Sequence, residues 1–280
     1  MMKKRYVLLS LAVAGAQALY ANDAEIDSLK AAQLQEVVVK GIRANANAPF
    51  AVTNINRSQL NSFSKTGQEL PFLFAQTPGV LAWGENGLGT GTAYMRRRGA
   101  GDSRINVTID GVPLNSPEDQ CVFWANMNSY ASLLGSVQIQ RGVGTSSNGD
   151  GAFGGTVSLS SKTPSLSPTA EVTGSYGSYN TWRAGATFST GLIGEHFIFD
   201  GAYHETNTDG YIDGTSGRSG SYYGGLTWLS DNFTVRYKNI GNFEKTGQAW
   251  NGVLAGDYDG YCPLPYSYST LYDKGMGKWN

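Results

Sequence analysis

The stretch "HFIFDGAYHE", His196 to Glu205, decides the reading of this chain. Side chains on a β-strand alternate between two faces. Here the alternation puts Phe197, Phe199 and Tyr203 on one side and His196, Asp200 and His204 on the other. A strand with one apolar and one polar face suits a wall that meets lipid outside and water inside.

The same texture repeats around it. Upstream, "AEVTGSYG" turns into "TWRAGATFST", where Trp182, Ala184, Ala186 and Phe188 share a face, and Gly191 to Glu195 makes a short turn. Downstream, the polar run Thr206 to Ser221 reads as a long loop. Then "YYGGLTWLS" returns, Asp231-Asn232 turns, and "FTVRYKN" sets Phe233, Val235 and Tyr237 against Thr234, Arg236 and Lys238. Connections alternate between short and longer, with the stretch after about Asn239 read as loop again, as in a barrel with short inner turns and longer outer loops. A soluble β-sandwich would show similar short strands. Five strands cannot close a bacterial barrel, which needs at least about eight to leave no unpaired edge in lipid. The expectation is therefore part of a larger wall.

Composition agrees with a β protein. Glycine is abundant at 37 residues, tyrosine at 16, and charged residues are scarce at 15%. The net charge of −1 gives no basic surplus for a nucleic-acid partner. No later apolar run reaches the ~20 residues of a membrane helix. The two cysteines, Cys121 and Cys262, are too few to build a disulfide scaffold, although an oxidising compartment would allow them to pair.

Before Pro164 the texture is mixed α and β. "FLFAQTPGVLA", residues 72–82, reads as a short helix stopped at Thr77-Pro78-Gly79. Thr66 to Glu69 offers a capping box ahead of it, and Pro71 interrupts the start. "RINVTIDGVPLN" reads as a strand, an Asp110-Gly111 turn and a short extended piece. "SVQIQRG" and "GGTVSLSSKT" are two further alternating strands across a Gly/Ser-rich loop. At the very start, Lys3, Lys4 and Arg5 precede the apolar "YVLLSLAVAGA" and the small residues Ala16, Ala18 and Ala21, the order of a secretory signal peptide. Just beyond lies "EVVVKG", a β-branched run suited to adding as an edge strand to a partner's sheet, or else to opening the chain's own first sheet.

In this order the motifs resemble a TonB-dependent outer-membrane receptor. "EVVVKG" is similar to the TonB box, "QELPFLFAQTPGV" to the early helix of the plug, "RRRGAGDSRINVTIDGVPLN" to the plug core, and "VQIQRGVGTSSNGDGAFGGTVSLSSKT" to its closing segment. The resemblance implies an α+β plug domain followed by an antiparallel transmembrane β-barrel, here about five strands of a large one. The expected division is a signal peptide at 1–21, a periplasmic tail at 22–45 with the TonB-box-like segment 35–41, a plug at 46–165, and the barrel from 168 to 280. It implies TonB and its inner-membrane energising complex as partners at Glu36, Val37, Val38 and Val39, with outer-membrane lipid around the wall. Plug arginines, here Arg98, Arg104 and Arg141, are expected to lock the plug to barrel acids; capping of turns is the plainer role for them. Aromatic residues Trp83, Tyr94, Phe123 and Trp124 are the candidate ligand contacts, with plug packing as the alternative. The cargo implied is an iron complex, a ferric siderophore or haem; cobalamin or an oligosaccharide are alternatives on the same fold, and an outer-membrane adhesin is the rival outside it. No catalytic signature such as G-x-S-x-G, H-E-x-x-H or C-x-x-C occurs, so no enzyme, metal site or cofactor is expected.

Overall fold

The structure is a computed structural model and describes residues 43–44, 50–143, 152–212, 214–230 and 233–247. The leader, the run Glu36–Val39 and Cys262 lie outside these residues, so the expectations placed on them do too.

The chain begins with β1 (Val52–Ile55) and α1 (Arg57–Ser64). α1 has only Leu60 and Phe63 as buried residues, three positions apart. Its start is set by a capping box: Asn56 Oδ1 accepts the Gln59 N–H at 3.0 Å, and Gln59 Oε1 accepts the Asn56 N–H at 2.9 Å. The box expected at Thr66–Glu69 is not formed. Thr66 Oγ1 accepts the Gln68 N–H in a local turn, and the carboxylate of Glu69 reaches across to the Ala93 N–H at 3.1 Å.

Glu69 instead provides the backbone N-cap of α2 (Leu70–Phe74). Pro71 falls in the first turn, where its missing N–H is not needed. The helix thus begins two residues before the expected Phe72 and ends at Phe74, ahead of the expected stop at Thr77-Pro78-Gly79, beyond which Val80, Leu81 and Ala82 join a strand. That strand, β2 (Val80–Gly84), pairs antiparallel with β3 (Ala93–Arg97).

β4 (Ile105–Ile109) and β5 (Val112–Pro113) form the expected hairpin. Asp110 and Gly111 both take positive φ, 49° and 86°, as a tight two-residue turn requires. β6 (Leu134–Arg141) and β7 (Gly155–Ser161) complete a five-stranded sheet in the order β1-β6-β7-β4-β5, in which only β4 and β7 are parallel. α1, α2 and the Trp124–Met127 turn cover it around a core of Leu60, Leu70, Phe74, Trp124, Ile139 and Leu159.

After Ser161 the chain enters a meander of five antiparallel strands: β8 (Thr169–Tyr176), β9 (Trp182–Ser189), β10 (Phe197–Thr208), β11 (Gly217–Leu229) and β12 (Thr234–Thr246). The alternation read from the sequence holds. Phe188, Phe197, Phe199, Tyr203, Val235 and Tyr237 are exposed on one face, while Arg183, Ile198, His204 and Thr206 are buried on the other. Two aromatic groups mark the outward face. Phe197, Trp228 and Phe233 cluster near the inner turns, with rings 5.1 to 6.5 Å apart. Tyr203 stacks on Phe243 at 6.2 Å further out, beneath Arg218. The six-residue step from Phe197 to Tyr203 spans roughly 20 Å at strand rise, close to the ~25 Å apolar band of an outer-membrane wall.

The outer ends are more extended than expected. β10 runs on through Thr208 and β11 begins at Gly217, so the loop is 209–216 rather than 206–221, and β12 continues to Thr246. These extensions are polar because strand beyond the lipid has water on its outer face, which erases the amphipathic signal. His196 sits in the inner turn, with Nδ1 2.9 Å from the Leu229 carbonyl oxygen, rather than beside His204 on the strand. Among the described residues no helix is long and apolar enough to cross a membrane.

Candidate functional site at the plug and wall interface

The first domain packs against the polar inner face of the wall, and the contacts between them are ionic and hydrogen-bonded. Lys238 Nζ, on β12, donates to Asp110 Oδ2 at 2.8 Å and to Ser161 Oγ at 2.7 Å. Asp110 Oδ1 also accepts the Ser161 N–H at 2.8 Å. Burial alone pushes the Asp110 carboxyl up, but the Lys238 ammonium and the Ser161 donors outweigh it and hold the group below its ordinary value. Arg183 Nη2 donates to Ser132 Oγ at 3.1 Å, Arg236 Nη2 to the Lys162 carbonyl at 3.3 Å, and Asn128 Nδ2 to Glu244 Oε2 at 3.1 Å. The bases of this interface sit mainly on the wall and the acid Asp110 sits on the first domain.

The expected arginines are placed differently. Arg98 is exposed in a turn at φ 47°, followed by Gly99 at φ 80°. Arg104 is exposed, and its carbonyl accepts the Gly154 N–H. Arg141 is half-buried with Nε unpartnered. Sequence reading missed Arg97. Its side chain is 1% exposed, and none of its three guanidinium nitrogens has a hydrogen-bond partner. Burial first, then Arg141 and Arg98, lowers its pKa to about 10. Gly155 must be glycine beside it: a Cβ there would lie 2.3 Å from Arg97 Nη1. The signal was present, since Ala93, Met95 and Arg97 share the inward face of β3 at period two.

At the outer end, the loop 85–92 between β2 and β3 rises to meet the wall. Asn86, buried, organises it: Oδ1 accepts the N–H groups of Leu88 and Gly89, and Nδ2 donates to Thr90 Oγ1. The Asn86 carbonyl accepts the Tyr211 N–H of the 209–216 loop at 3.0 Å, and Tyr211 packs edge-on against Tyr179. A small open cleft, with room for about one water, lies beneath, lined by Asn86, Thr90 and Gly91 on one side and by Thr206, Arg218, Glu244 and neighbouring wall residues on the other.

The four candidate ligand residues separate into two kinds. Trp83 and Tyr94 pair across β2 and β3 and stack at 5.5 Å, with the Arg96 guanidinium 5.9 Å from the Trp83 ring and Tyr94 Oη donating to Glu85 at 2.7 Å. Burial, followed by the bond to Glu85, raises the Tyr94 phenol to about 12, so it remains a donor. Phe123 is 60% exposed, whereas Trp124 is 2% exposed and packs edge-on to Phe74 in the core. Trp124 therefore supports the fold.

Residues 44–156 match the family of the TonB-dependent receptor plug domain. Solved structures with the same arrangement include FpvA of P. aeruginosa bound to heterologous pyoverdines, at 20% identity and TM-score 0.59 over 74% of this chain and 27% of that one. The ferric citrate transporter FecA in its unliganded form matches at 19% identity and TM-score 0.57, over 75% of this chain and 33% of that one. The copper transporter OprC matches at 13% identity and TM-score 0.58, over 74% and 33%. No curated protein matches the sequence. The chain thus spans about a third or less of these structures' lengths. The class defined by fold and interface is a plug seated against a β-wall. More particularly, residues 44–156 are a TonB-dependent receptor plug domain, and the chain has the fold of that receptor family in its plug and adjoining wall strands.

Proposed function

We propose that this chain carries the plug and first wall strands of an outer-membrane receptor that imports a scarce ligand with energy delivered through TonB. The observation that carries the reading is the plug held by polar contacts on the inner face of an amphipathic wall, Asp110 to Lys238 foremost. A stopper held this way leaves its seat when pulled, whereas an apolar seat would not let go without exposing core. The family is one of receptors, and binding, release and plug movement need no covalent chemistry.

The pulling point is Glu36–Val39, within a tail that follows a signal peptide ending at Ala18 or Ala21. The first described residue after it is Arg43, whose guanidinium bonds Ser136 Oγ at 2.8 Å and the Ser158 carbonyl at 2.8 Å, across β6 and β7. Force on the tail therefore loads the middle of the plug sheet. The plug extends from 46 to 165 and the wall from 168. Of the arginines Arg98, Arg104 and Arg141, Arg141 is the one we assign to the lock, because it is half-buried with an unpartnered Nε; Arg98 and Arg104 belong to turns. Ligand contacts are the stacked Trp83–Tyr94 platform with Arg96, and exposed Phe123.

An iron complex is the cargo we favour, since FpvA is solved with a pyoverdine–iron complex and FecA is a ferric citrate transporter. OprC, a copper transporter, shows that the same fold serves other cargo. Deleting Leu34–Gly41 in the complete receptor is expected to abolish uptake of the cognate ferric chelate while leaving its binding to whole cells intact. Uptake that survives the deletion overturns the TonB-driven reading. Uptake of cobalamin or an oligosaccharide, with no ferric chelate or haem bound, overturns the cargo.

A further inference from the structure

We infer that the outer rim of the wall holds the phosphate of an outer-leaflet lipid headgroup between Arg218 and Lys245, with the lipid's acyl chain laid along the aromatic residues beneath. The inference rests on the reading of the wall as lipid-facing and is independent of TonB and of the cargo.

The outward side of β8 to β12 is almost free of charge. Among the described residues of these strands, the charged side chains on that side are Glu205, Arg218 and Lys245, and they lie together at the outer end. Arg218 and Lys245 are exposed and stand directly opposite each other across β11 and β12. Like charges facing each other across a ladder destabilise it. Their Cα atoms are only about 4.5–5.5 Å apart in such a pair, so one phosphate reaches both side chains. Glu205 binds Arg218 Nε, whereas Lys245 has no ion pair among the described residues. The group therefore keeps an excess positive charge that an anion would neutralise.

Arg218 is fixed yet open. Glu205 holds its Nε, Tyr203 Oη donates to the other Glu205 oxygen, and the guanidinium carbon lies 5.7 Å from the Phe243 ring centre. Even so, 59% of the Arg218 side chain remains exposed. A guanidinium positioned in this way is preorganised for a phosphate.

Beneath the cations the wall is smooth. Phe243 lies flat over Gly220, where a Cβ would come within 2.6 Å of the ring, and Tyr222 lies over Gly241, where the distance would be 2.2 Å. Gly224, two positions below Tyr222 on the same face, has open space where a Cβ would stand. Flat rings and missing side chains leave a shallow apolar furrow suited to an extended acyl chain. The height fits as well. From Trp228, in the inner aromatic cluster, to Arg218 is ten residues of β11, or roughly 33 Å of strand. A tilt of about 40° turns this into about 25 Å, the height of the apolar band. The two cations thus stand at the outer lipid–water boundary, at the level of headgroup phosphates.

The test titrates the complete receptor, in detergent with EDTA, with diphosphorylated lipid A and follows binding by native mass spectrometry. Arg218→Gln and Lys245→Gln are each expected to weaken binding about fivefold and the double variant about thirtyfold. Dephosphorylated lipid A should bind the wild type as weakly as the phosphorylated lipid binds the double variant. Inorganic phosphate at the same concentration should leave the lipid in place. Equal binding of the two lipid forms, unchanged binding in both variants, or displacement by inorganic phosphate each overturn the inference, the last by making the site one for a soluble anion. Both side chains are exposed, and if one variant fails to fold the other decides. Flotation with phosphatidylcholine vesicles checks the lipid-facing wall separately: a receptor that floats but does not select the phosphorylated lipid sinks this inference alone.

Discussion

Plug and wall bury opposite kinds of residue. The buried side chains of the plug include Leu60, Phe74, Ile139 and Leu159, whereas those of the wall are largely Arg183, His204, Thr206, Ser219, Ser221 and Thr227. The exposed faces invert in the same way: the wall shows Phe199, Val235 and Tyr237 outward. The plug is folded by water, which drives apolar surface inward. The wall has the inverse pattern that suits strands facing lipid, in which backbone groups must pair between strands and apolar side chains lose nothing by facing out. Their shared boundary is polar for that reason, and a polar boundary can be undone without exposing either core.

The sharpest way to break this comparison is inside the plug. Phe74→Ala removes a fully buried ring in contact with Trp124 and is expected to destabilise the plug by about 3–5 kcal/mol, read by urea unfolding followed through tryptophan fluorescence. Next comes a pair of substitutions at comparable exposure in different solvents. Phe199→Arg on the wall should cost about 2–4 kcal/mol in lipid vesicles, while Leu81→Arg on the plug should stay within about 0.5 kcal/mol. Equal costs would mean that the outward face of the wall does not meet lipid.

The smallest effect sharpens the boundary itself. Asp110→Asn leaves the Lys238 ammonium without its anion and should weaken the plug–wall contact by about 2 kcal/mol, measured as a lower urea midpoint for plug release. The sign of its pH dependence follows from the lowered folded-state value of Asp110. The contribution is present above the ordinary aspartate range, near about pH 4, and is lost as pH falls through the depressed value; Asp110→Asn should flatten that acid limb.

Much of the wall was legible because period-two alternation is a local property. All five strands emerge from it, as does the Asp110-Gly111 turn, whose two positive φ values suit Asp-Gly. Strand ends were not legible. Thr206–Thr208 and, apart from Phe243, Ile240–Thr246 carry little apolar alternation, yet they stay in register with β11 through cross-strand hydrogen bonds. α1 was missed because "RSQLNSFS" is mostly polar; it is helical through the Asn56–Gln59 box and the burial of Leu60 and Phe63. At the interface, the family resemblance pointed to arginines on the plug. The folded chain instead brings Lys238 to an acid 128 residues away, a pairing that no local spacing records.

By itself the sequence determined the two solvents of this protein, a water-folded α+β unit and then strands with one face for lipid, because hydrophobic periodicity acts within a few neighbouring residues. Only the tertiary structure decided which polar groups meet across the boundary and which arginine is sealed in. Those facts depend on segments far apart in the chain being brought within hydrogen-bond distance, and burial changes a group's charge and worth only after the chain has closed around it.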